Sequence, residues 1–247
     1  MEKKWITKIG DSTEEKTIVR GYDLEKLVGK LTFTEMIFLE LIGRMPKKEE
    51  KEMMDAIFVS TVEHGIAVPS ITTARISLSA GNPLNAAVAA GILGIGDYHG
   101  GAIEQAAKIF QENLKTKPED LVKRFKEQNK RIPGYGHKVY TTDPRTVKLI
   151  EIAKKNTIAG KHVEFALGIE KALEKSAGRK LCLNVDGCIA AIISDMGFDR
   201  RLGKGLFIIP RTVGIVAHVH EEWANDKPCR RLDEDEYEYI GEKDKEI

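Results

Sequence analysis

Apolar residues recur every three or four positions along most of this chain, which is the period of a helix that buries one face. The sequence Thr32-Phe-Thr-Glu35 has the residues of a capping box, and Gly43 and Pro46 end the apolar run that follows it. Further helices are predicted over 48–62, in two segments between 71 and 93 that Gly81-Asn-Pro83 separates, from 102 onward, and over 119–129, 144–155, 162–175, 189–196 and 206–223.

A short β-hairpin is expected at the N-terminal end. Residues 4–9 and 16–19 are rich in β-type residues and flank the turn-like sequence Gly10-Asp-Ser-Thr13. From Leu232 onward the chain is acidic and contains tyrosines, which predicts a surface arm. Together these patterns predict an all-α fold with a small N-terminal β-hairpin and no internal repeat.

Composition narrows the class of protein. The chain has 247 residues, enough for a substantial core and for two lobes. Its net charge of +1 creates no general attraction to nucleic acid or to a membrane surface. No apolar run approaches the roughly 20 residues of a membrane span, and the first residues lack the apolar region of a signal peptide. The three cysteines form no Cys-x-x-Cys pair, so we expect reduced thiols and a cytoplasmic location.

Candidate chemistry is concentrated in three segments: Gly96-Asp-Tyr-His99-Gly-Gly, Pro133-Gly-Tyr-Gly-His137 and Leu183-Asn-Val-Asp186-Gly. Each segment places a proton-transferring side chain among small residues. Histidine titrates near neutral pH, and burial can tune a carboxylate to remove a proton from carbon. Two imidazoles and one carboxylate are the groups that an enzyme needs to form and use an enol.

Each of these residues also has a simpler interpretation. His99 precedes a helix N-terminus, which favours negative charge, but it could equally cap that helix beside a glycine turn. The loop before His137 could wrap a planar or phosphorylated ligand, although Gly-Tyr-Gly is also common in ordinary turns. Asp186 is either an N-cap or a carboxylate at the mouth of an apolar site, where burial would raise its basicity.

Several cationic residues could bind an anion. Arg211 lies in an apolar run, and a buried arginine needs a bidentate anionic partner, either a substrate carboxylate or an internal acidic residue. Asp143 is predicted to cap the next helix, which places Arg145 in its first turn, where a cation is unfavourable without an anionic partner. Arg230 and Arg231 are either a solvated pair or reach the site of a neighbouring subunit.

The remaining histidines give weaker signals. His64 either hydrogen-bonds a substrate or is a satisfied core histidine. His218 and His220 are two positions apart on a predicted helix and do not share a face. Since no P-loop, Rossmann fingerprint or zinc spacing is present either, we predict no metal site and no redox cofactor.

In their order along the chain, the motifs resemble those of the citrate synthase superfamily: His64, His99-Gly-Gly-Ala, Pro-Gly-Tyr-Gly-His137, Asp-Pro-Arg145, Asn-Val-Asp186 and Pro-Arg211-Thr-Val-Gly. The resemblance runs nearly end to end. The chain is shorter than a full citrate synthase, with a block of helices missing ahead of His64. It is therefore most similar to citryl-CoA lyases and to the C-terminal citrate-synthase-like module of ATP-citrate lyase.

The resemblance implies roles for these residues. His99 would hydrogen-bond the thioester oxygen of acetyl-CoA, Asp186 would exchange the proton on its methyl carbon, and His137 would hydrogen-bond the oxygen on the central substrate carbon. The substrate carboxylates would be bound by His64, Arg145, Arg211 and an arginine of the pair Arg230 and Arg231. The coenzyme A adenine would lie against the loop of Ile132, Pro133, Gly134, Tyr135 and Gly136.

The resemblance also implies an organisation. A large helical subdomain would comprise 1–99 and 191–247, and a small CoA-binding subdomain would comprise 100–190. A homodimer would be the minimum and a homotetramer the form of the lyase branch, with one C-terminal arginine reaching into a partner subunit. No cofactor would be bound permanently, because coenzyme A enters as part of the substrate.

The activity most consistent with the resemblance is cleavage of (3S)-citryl-CoA to acetyl-CoA and oxaloacetate, which belongs to the reductive tricarboxylic acid cycle. A separate citryl-CoA synthetase would supply the substrate. One alternative is a compact citrate or alkylcitrate synthase, although Glu63-His64-Gly65 and Asp97-Tyr98 depart from the synthase motifs. The other is a non-catalytic CoA-binding partner subunit, which would not need His99, His137 and Asp186 together.

Overall fold

The computed structural model describes residues 5–137 and 140–246. Within these ranges the chain is mainly helical, with one small antiparallel sheet near the N-terminus. In chain order the elements are β1 (Gly10–Ser12), β2 (Thr17–Val19), β3 (Tyr22–Asp23), α1 (Leu24–Leu27), α2 (Phe33–Ile42), α3 (Lys48–Thr61), α4 (Pro69–Ser79), α5 (Leu84–Leu93), α6 (Ala102–Asn113), α7 (Pro118–Glu127), α8 (Pro144–Lys155), α9 (Lys161–Ala177), α10 (Val185–Asp195), a 3-10 helix (Arg200–Leu202) and α11 (Gly203–Asn225). The predicted all-α class is confirmed.

The N-terminal sheet differs in detail from the predicted hairpin. β1 pairs with β2 and β2 pairs with β3, both antiparallel. The first strand therefore lies at 10–12, which we expected to be a turn, and not at 4–9, whose first residue is outside the described ranges. The backbone N–H of Thr13 donates to the carbonyl oxygen of Lys16 at 3.0 Å, so the turn lies three residues later than predicted.

Local signals fixed several helix ends as predicted. The Thr32 side chain accepts from the backbone N–H of Glu35, whose carboxylate accepts from the backbone N–H of Thr32 at 2.7 Å. Gly43 closes the same helix in the left-handed conformation, with φ of 83°. Asp143 caps α8 by accepting from the N–H of Arg145. These caps satisfy backbone groups that a helix leaves unpaired at its ends.

The described chain divides into two compact units. The first comprises Met1–Glu63 and Gly96–Arg211. Its core forms where α10 packs against α6, α8 and α9, and the apolar residues of α10 are almost completely buried. Burial on all sides explains why α10 is hydrophobic all round and not only along one stripe.

The second unit comprises His64–Ile95 and Thr212–Ile247. In it α4 packs against α5, as the small-residue sequence predicted. A Cβ atom added at Gly91 would lie 2.8 Å from the carbonyl oxygen of Ser70 and 2.9 Å from the Cβ of Ala74, so glycine permits this close approach. The family resemblance predicts a different division, in which a small subdomain of 100–190 is hinged on a large subdomain of 1–99 and 191–247. That division stays a prediction.

The segment Arg200–Asn225 contains an 18-residue stretch with a mean hydropathy of 1.3, which is long and apolar enough, by length and composition alone, to cross a membrane. The sequence predicted no uninterrupted apolar run of that length. Polar and charged residues such as Lys204 and Arg211 interrupt this stretch. Of that 18-residue stretch, 44% is buried inside the protein, so length and composition alone are weak evidence for a membrane span. The described residues after α11 are exposed and form no helix or strand, which confirms the predicted surface arm.

Candidate active site

Backbone hydrogen bonds attach the loop that carries His137 to the segment before α10. The carbonyl oxygen of Gly134 accepts from the N–H of Asn184 at 3.0 Å, and the N–H of Gly136 donates to the carbonyl oxygen of Cys182 at 2.7 Å. The Asn184 amide nitrogen adds a bond of 3.0 Å to the carbonyl oxygen of Gly136. The loop therefore follows the start of α10 without an intervening side chain.

Two glycines make this approach possible. Gly134 has a φ of 87°, and a Cβ added there would lie 2.6 Å from the Cα of Gly187. A Cβ added at Gly187 would clash with the carbonyl oxygen of Gly134 and lie 2.7 Å from Cδ1 of Leu183. The loop and the first turn of α10 are consequently fixed against each other, and with them His137 and Asp186.

Asp186 is not the cap of its helix. The N-cap of α10 is Asn184, whose side-chain oxygen accepts from the N–H of Gly187 at 3.1 Å. The interpretation of Asp186 as an N-cap is therefore wrong, and its half-buried carboxyl group lies in the first turn. Burial raises the pKa of Asp186 from 3.8 to about 6, while the positive charges of Arg145 and Arg211 oppose this rise. Such a group can both donate and accept a proton near neutral pH.

Asp143 is a buried anchor for Arg145. Its carboxylate accepts from Nε and Nη2 of Arg145 at 3.0 and 2.9 Å, and from the backbone N–H of Val185 at 3.0 Å. Although burial opposes its ionisation, the hydrogen bonds and charge of Arg145 keep the pKa of Asp143 below its usual value. The anionic partner expected for Arg145 is thus present within the chain. The Arg145 side chain remains 26% exposed, so it is not completely enclosed by this pairing.

Arg211 is almost completely buried, with 2% of its surface exposed. Its Nε donates to the carbonyl oxygen of Thr61 at 3.0 Å, and its guanidinium lies 4.7 Å from the ring centre of Phe207. Burial lowers the pKa of Arg211, while the carboxylates of Glu63 and Asp186 favour the charged form. Among the described residues, Nη1 of this arginine has no hydrogen-bond partner. A buried guanidinium with an unused donor suits a carboxylate ligand.

His99 lies on a tight turn before α6. Its backbone N–H and that of Gly101 both donate to the carbonyl oxygen of Gly96 at 3.0 Å. Gly101 is the N-cap residue of α6, so the interpretation of His99 as the cap is wrong. The half-buried imidazole packs nearly perpendicular to the ring of Phe207, with centroids 5.6 Å apart.

The tautomer of His137 follows from its backbone surroundings. Its Nδ1 accepts from the N–H of Tyr140 at 3.2 Å, so a neutral ring carries its proton on Nε2. Nε2 is then a hydrogen-bond donor. In the preceding loop, the hydroxyl of Tyr135 donates to the carbonyl oxygen of Ala166 at 2.9 Å and Ile132 is buried. The loop therefore presents mainly its backbone, and its contact with an adenine stays a prediction.

The second unit holds the other predicted binding residues. His64 is exposed, so the alternative of a core histidine is wrong. Arg230 donates from Nε and Nη2 to the two carboxylate oxygens of Glu222, at 2.9 and 2.8 Å. Glu222 is buried and also accepts from Nε of Arg75 at 2.6 Å. Because Arg230 is engaged in this network, exposed Arg231 is the better candidate of the pair for binding a ligand.

The structure thus links Asp186 electrostatically with Arg145 and Arg211 in the first unit. Sequence reasoning missed Phe207, which contacts both His99 and Arg211. Its position four residues before Arg211 on the same helix was a signal that could have identified it. Sequence reasoning also missed the pairing of Arg230 with Glu222, which left no recognisable pattern.

The fold and these groups are typical of one class of protein: a helical enzyme that uses acid–base chemistry. The family described as citrate synthase, C-terminal domain, matches residues 38–232. The chain belongs to the citrate synthase family.

Individual relatives sharpen this assignment. The chain is similar to the solved citryl-CoA lyase from Hydrogenobacter thermophilus, with 48% identity, a TM-score of 0.94, and coverage of 98% of this chain and 97% of that one. It is also similar to ATP citrate lyase from Methanothrix soehngenii, solved with citrate and coenzyme A, with 26% identity and a TM-score of 0.88 over 98% of this chain and 42% of that one. A probable ATP-citrate synthase from Dictyostelium discoideum is 31% identical to this chain over 196 residues. The match covers 72% of this chain but only 31% of the length of that protein.

Proposed function

We propose that this protein is a citryl-CoA lyase, which cleaves (3S)-citryl-CoA to acetyl-CoA and oxaloacetate. The observation that carries the proposal is the similarity to the Hydrogenobacter citryl-CoA lyase, which extends over nearly all of both chains. A mutant of ATP citrate lyase from Methanosaeta concilii, solved with (3S)-citryl-CoA, is also similar, with 26% identity and a TM-score of 0.88 over 98% of this chain and 42% of that one.

In the cleavage direction, the tertiary hydroxyl of the citryl group passes its proton to a water molecule and the adjacent carbon–carbon bond breaks. The electron pair passes into the enolate of acetyl-CoA, and the former hydroxyl oxygen becomes the ketone oxygen of oxaloacetate. His99 donates a hydrogen bond to the enolate oxygen, and the Nε2–H of His137 donates to the forming ketone oxygen. Fixed donors at an oxygen that gains charge are among the largest contributions to catalysis.

Asp186 completes the reaction by protonating the enolate carbon. Its pKa of about 6 keeps an acid fraction available near neutral pH. A positioned proton donor of this kind contributes on the order of 10²–10⁴-fold to a rate. The ionised form would remove the same proton in the reverse direction, so one carboxyl group serves cleavage and condensation.

Cationic side chains would bind the two free carboxylates of citryl-CoA. Arg211 supports this role through its unused Nη1 donor, and Arg145 through its side chain, which remains 26% exposed. We assign further contacts to His64 and Arg231. The backbone of residues 132–136 would lie against the coenzyme A adenine.

We further propose that the protein is a cytoplasmic homo-oligomer that works with a separate citryl-CoA synthetase. Exposed apolar residues of the second unit support an assembly: Ile76, Leu93, Val213 and Trp223. Light scattering after size exclusion would measure the oligomeric state, and a monomer at micromolar concentration would contradict this part of the proposal.

The activity is tested by mixing the purified protein with citryl-CoA, quenching the reaction and identifying products by mass spectrometry. The proposal expects acetyl-CoA and oxaloacetate, with no products from Asp186→Asn. Free coenzyme A and citrate would instead identify a compact citrate synthase. Bound but unchanged citryl-CoA would favour a non-catalytic CoA-binding subunit.

A further inference from the structure

One face of α11 lies against the turn that carries His99 and also carries Arg211. Lys204, Phe207 and Arg211 are spaced by three and four positions and therefore lie on the same face of the helix. The Nζ of Lys204 lies 3.3 Å from a carboxylate oxygen of Asp97, on the turn that carries His99. Phe207, the next residue on this face, contacts the imidazole of His99.

Phe207 is 5% exposed, and two polar side chains, those of His99 and Arg211, pack against its ring. The His99 imidazole meets it at an interplanar angle of 81°, with centroids 5.6 Å apart. The guanidinium carbon of Arg211 lies 4.7 Å from the same ring centre. A perpendicular ring pair and a cation above an aromatic face are both favourable arrangements with a preferred geometry.

We propose that Phe207 is a positioning residue for the lyase reaction: its ring sets the orientation of His99 and Arg211 relative to each other. The inference rests on the proposed function, in which His99 binds the enolate oxygen and Arg211 a substrate carboxylate. Both groups act on one substrate, so a displacement of either lowers the fraction of productive geometry. Neither pair requires that Phe207 touch the substrate.

The chain offers a matched control in Phe38. This residue is completely buried, the guanidinium of Arg44 lies 5.0 Å from its ring centre, and the ring of Phe198 is 5.6 Å away at 67°. Phe38 therefore makes the same two kinds of contact in the same compact unit. Its partners include none of the proposed site residues.

The experiment compares Phe207→Leu with Phe38→Leu in the full chain. Leucine keeps an apolar side chain but removes the aromatic face, so both variants should lower Tm. Phe207→Leu should also reduce kcat/KM for citryl-CoA about 10- to 100-fold, with kcat lowered through His99 and KM raised through Arg211. Phe38→Leu should leave kcat and KM within about twofold of the wild type, since it changes stability alone.

Two results would overturn the inference: kinetics of Phe207→Leu within about twofold of the wild type, or equal kinetic losses in both variants. The wild type is assayed in parallel, with citryl-CoA and with acetyl-CoA plus oxaloacetate. A wild type inactive in both assays would contradict the proposed function and the inference that rests on it. An active wild type with an unaffected Phe207→Leu would contradict the inference alone.

Discussion

Replacing Gly187 by alanine tests whether the backbone contact between the His137 loop and α10 holds the site together. The added Cβ would clash with the carbonyl oxygen of Gly134 and lie 2.7 Å from Cδ1 of Leu183. The leucine side chain can rotate, but the carbonyl belongs to a loop whose neighbouring groups are hydrogen-bonded to Asn184 and Cys182. Relief of the clash therefore requires that the loop or the first turn of α10 move.

Overpacking of this kind in a well-packed interior costs about 1–3 kcal/mol of folding free energy. Because His137 follows the loop and Asp186 precedes Gly187, the same movement should separate the two proposed catalytic groups. We expect Gly187→Ala to lower kcat at least tenfold, as a misplacement of about 1 Å can cost even more.

The matched control is Gly205→Ala. Gly205 also lies in a helix of the first unit, but a Cβ added there meets no atom within 4 Å. The control should be neutral or gain about 0.5–1 kcal/mol, because alanine restricts the unfolded chain more than glycine does. Urea unfolding and steady-state kinetics with citryl-CoA would measure both variants. If Gly187→Ala were as stable and active as Gly205→Ala, the argument that this glycine contact fixes the site would be refuted.

Three further changes have expected outcomes. Asp186→Asn should abolish turnover. Above about pH 6 it should also raise the free energy of unfolding by up to about 3 kcal/mol. The reason is that the pKa of Asp186 is raised from 3.8 to about 6 in the folded chain, so ionisation of this group destabilises the fold. The gain should shrink as the pH falls below about 6 and disappear only well below 3.8, the unfolded-state pKa, where both states bind the proton, as urea unfolding at several pH values would show. Arg230→Ala should lower Tm, because buried Glu222 loses a bidentate partner, whereas Arg231→Ala should raise KM for citryl-CoA at unchanged Tm. Asp143→Ala should cost about 3 kcal/mol in urea unfolding, because Arg145 loses its buried partner.

Each of these outcomes can fail separately. A constant stability difference between Asp186→Asn and wild type across pH would mean that burial does not raise the pKa of Asp186. A KM effect of Arg230→Ala equal to that of Arg231→Ala would place both guanidinium groups at the ligand. An unchanged unfolding free energy for Asp143→Ala would show that its hydrogen bonds to Arg145 only replace bonds to water.

The parts of the fold that could be predicted are those encoded by neighbouring residues. The range 144–155 matches α8 at both ends, because Asp143 supplies the cap and proline the first helical position. The capping box of Thr32 and Glu35 is equally local. The proposed roles of His99, His137 and Asp186 come from the family resemblance and not from these local signals.

Contacts between distant residues could not be predicted. The carbonyl oxygen of Thr61 is 150 positions from Arg211, and no pattern in either segment indicates that they meet. The choice of Asn184 over Asp186 as the cap of α10 depends on which side chain reaches the N–H of Gly187, since both residue types cap helices well. The shifted first strand has a similar cause, because a four-residue turn can form at more than one place in a polar stretch.

The most direct test of the account is cleavage of citryl-CoA in D₂O, with mass analysis of the acetyl-CoA formed. The account predicts oxaloacetate together with acetyl-CoA that carries one deuterium in its methyl group, because Asp186 exchanges its proton with solvent and then protonates the enolate carbon. It also predicts that Asp186→Asn forms neither product. Acetyl-CoA without deuterium, or citrate and free coenzyme A in its place, would contradict the proposed enolate chemistry.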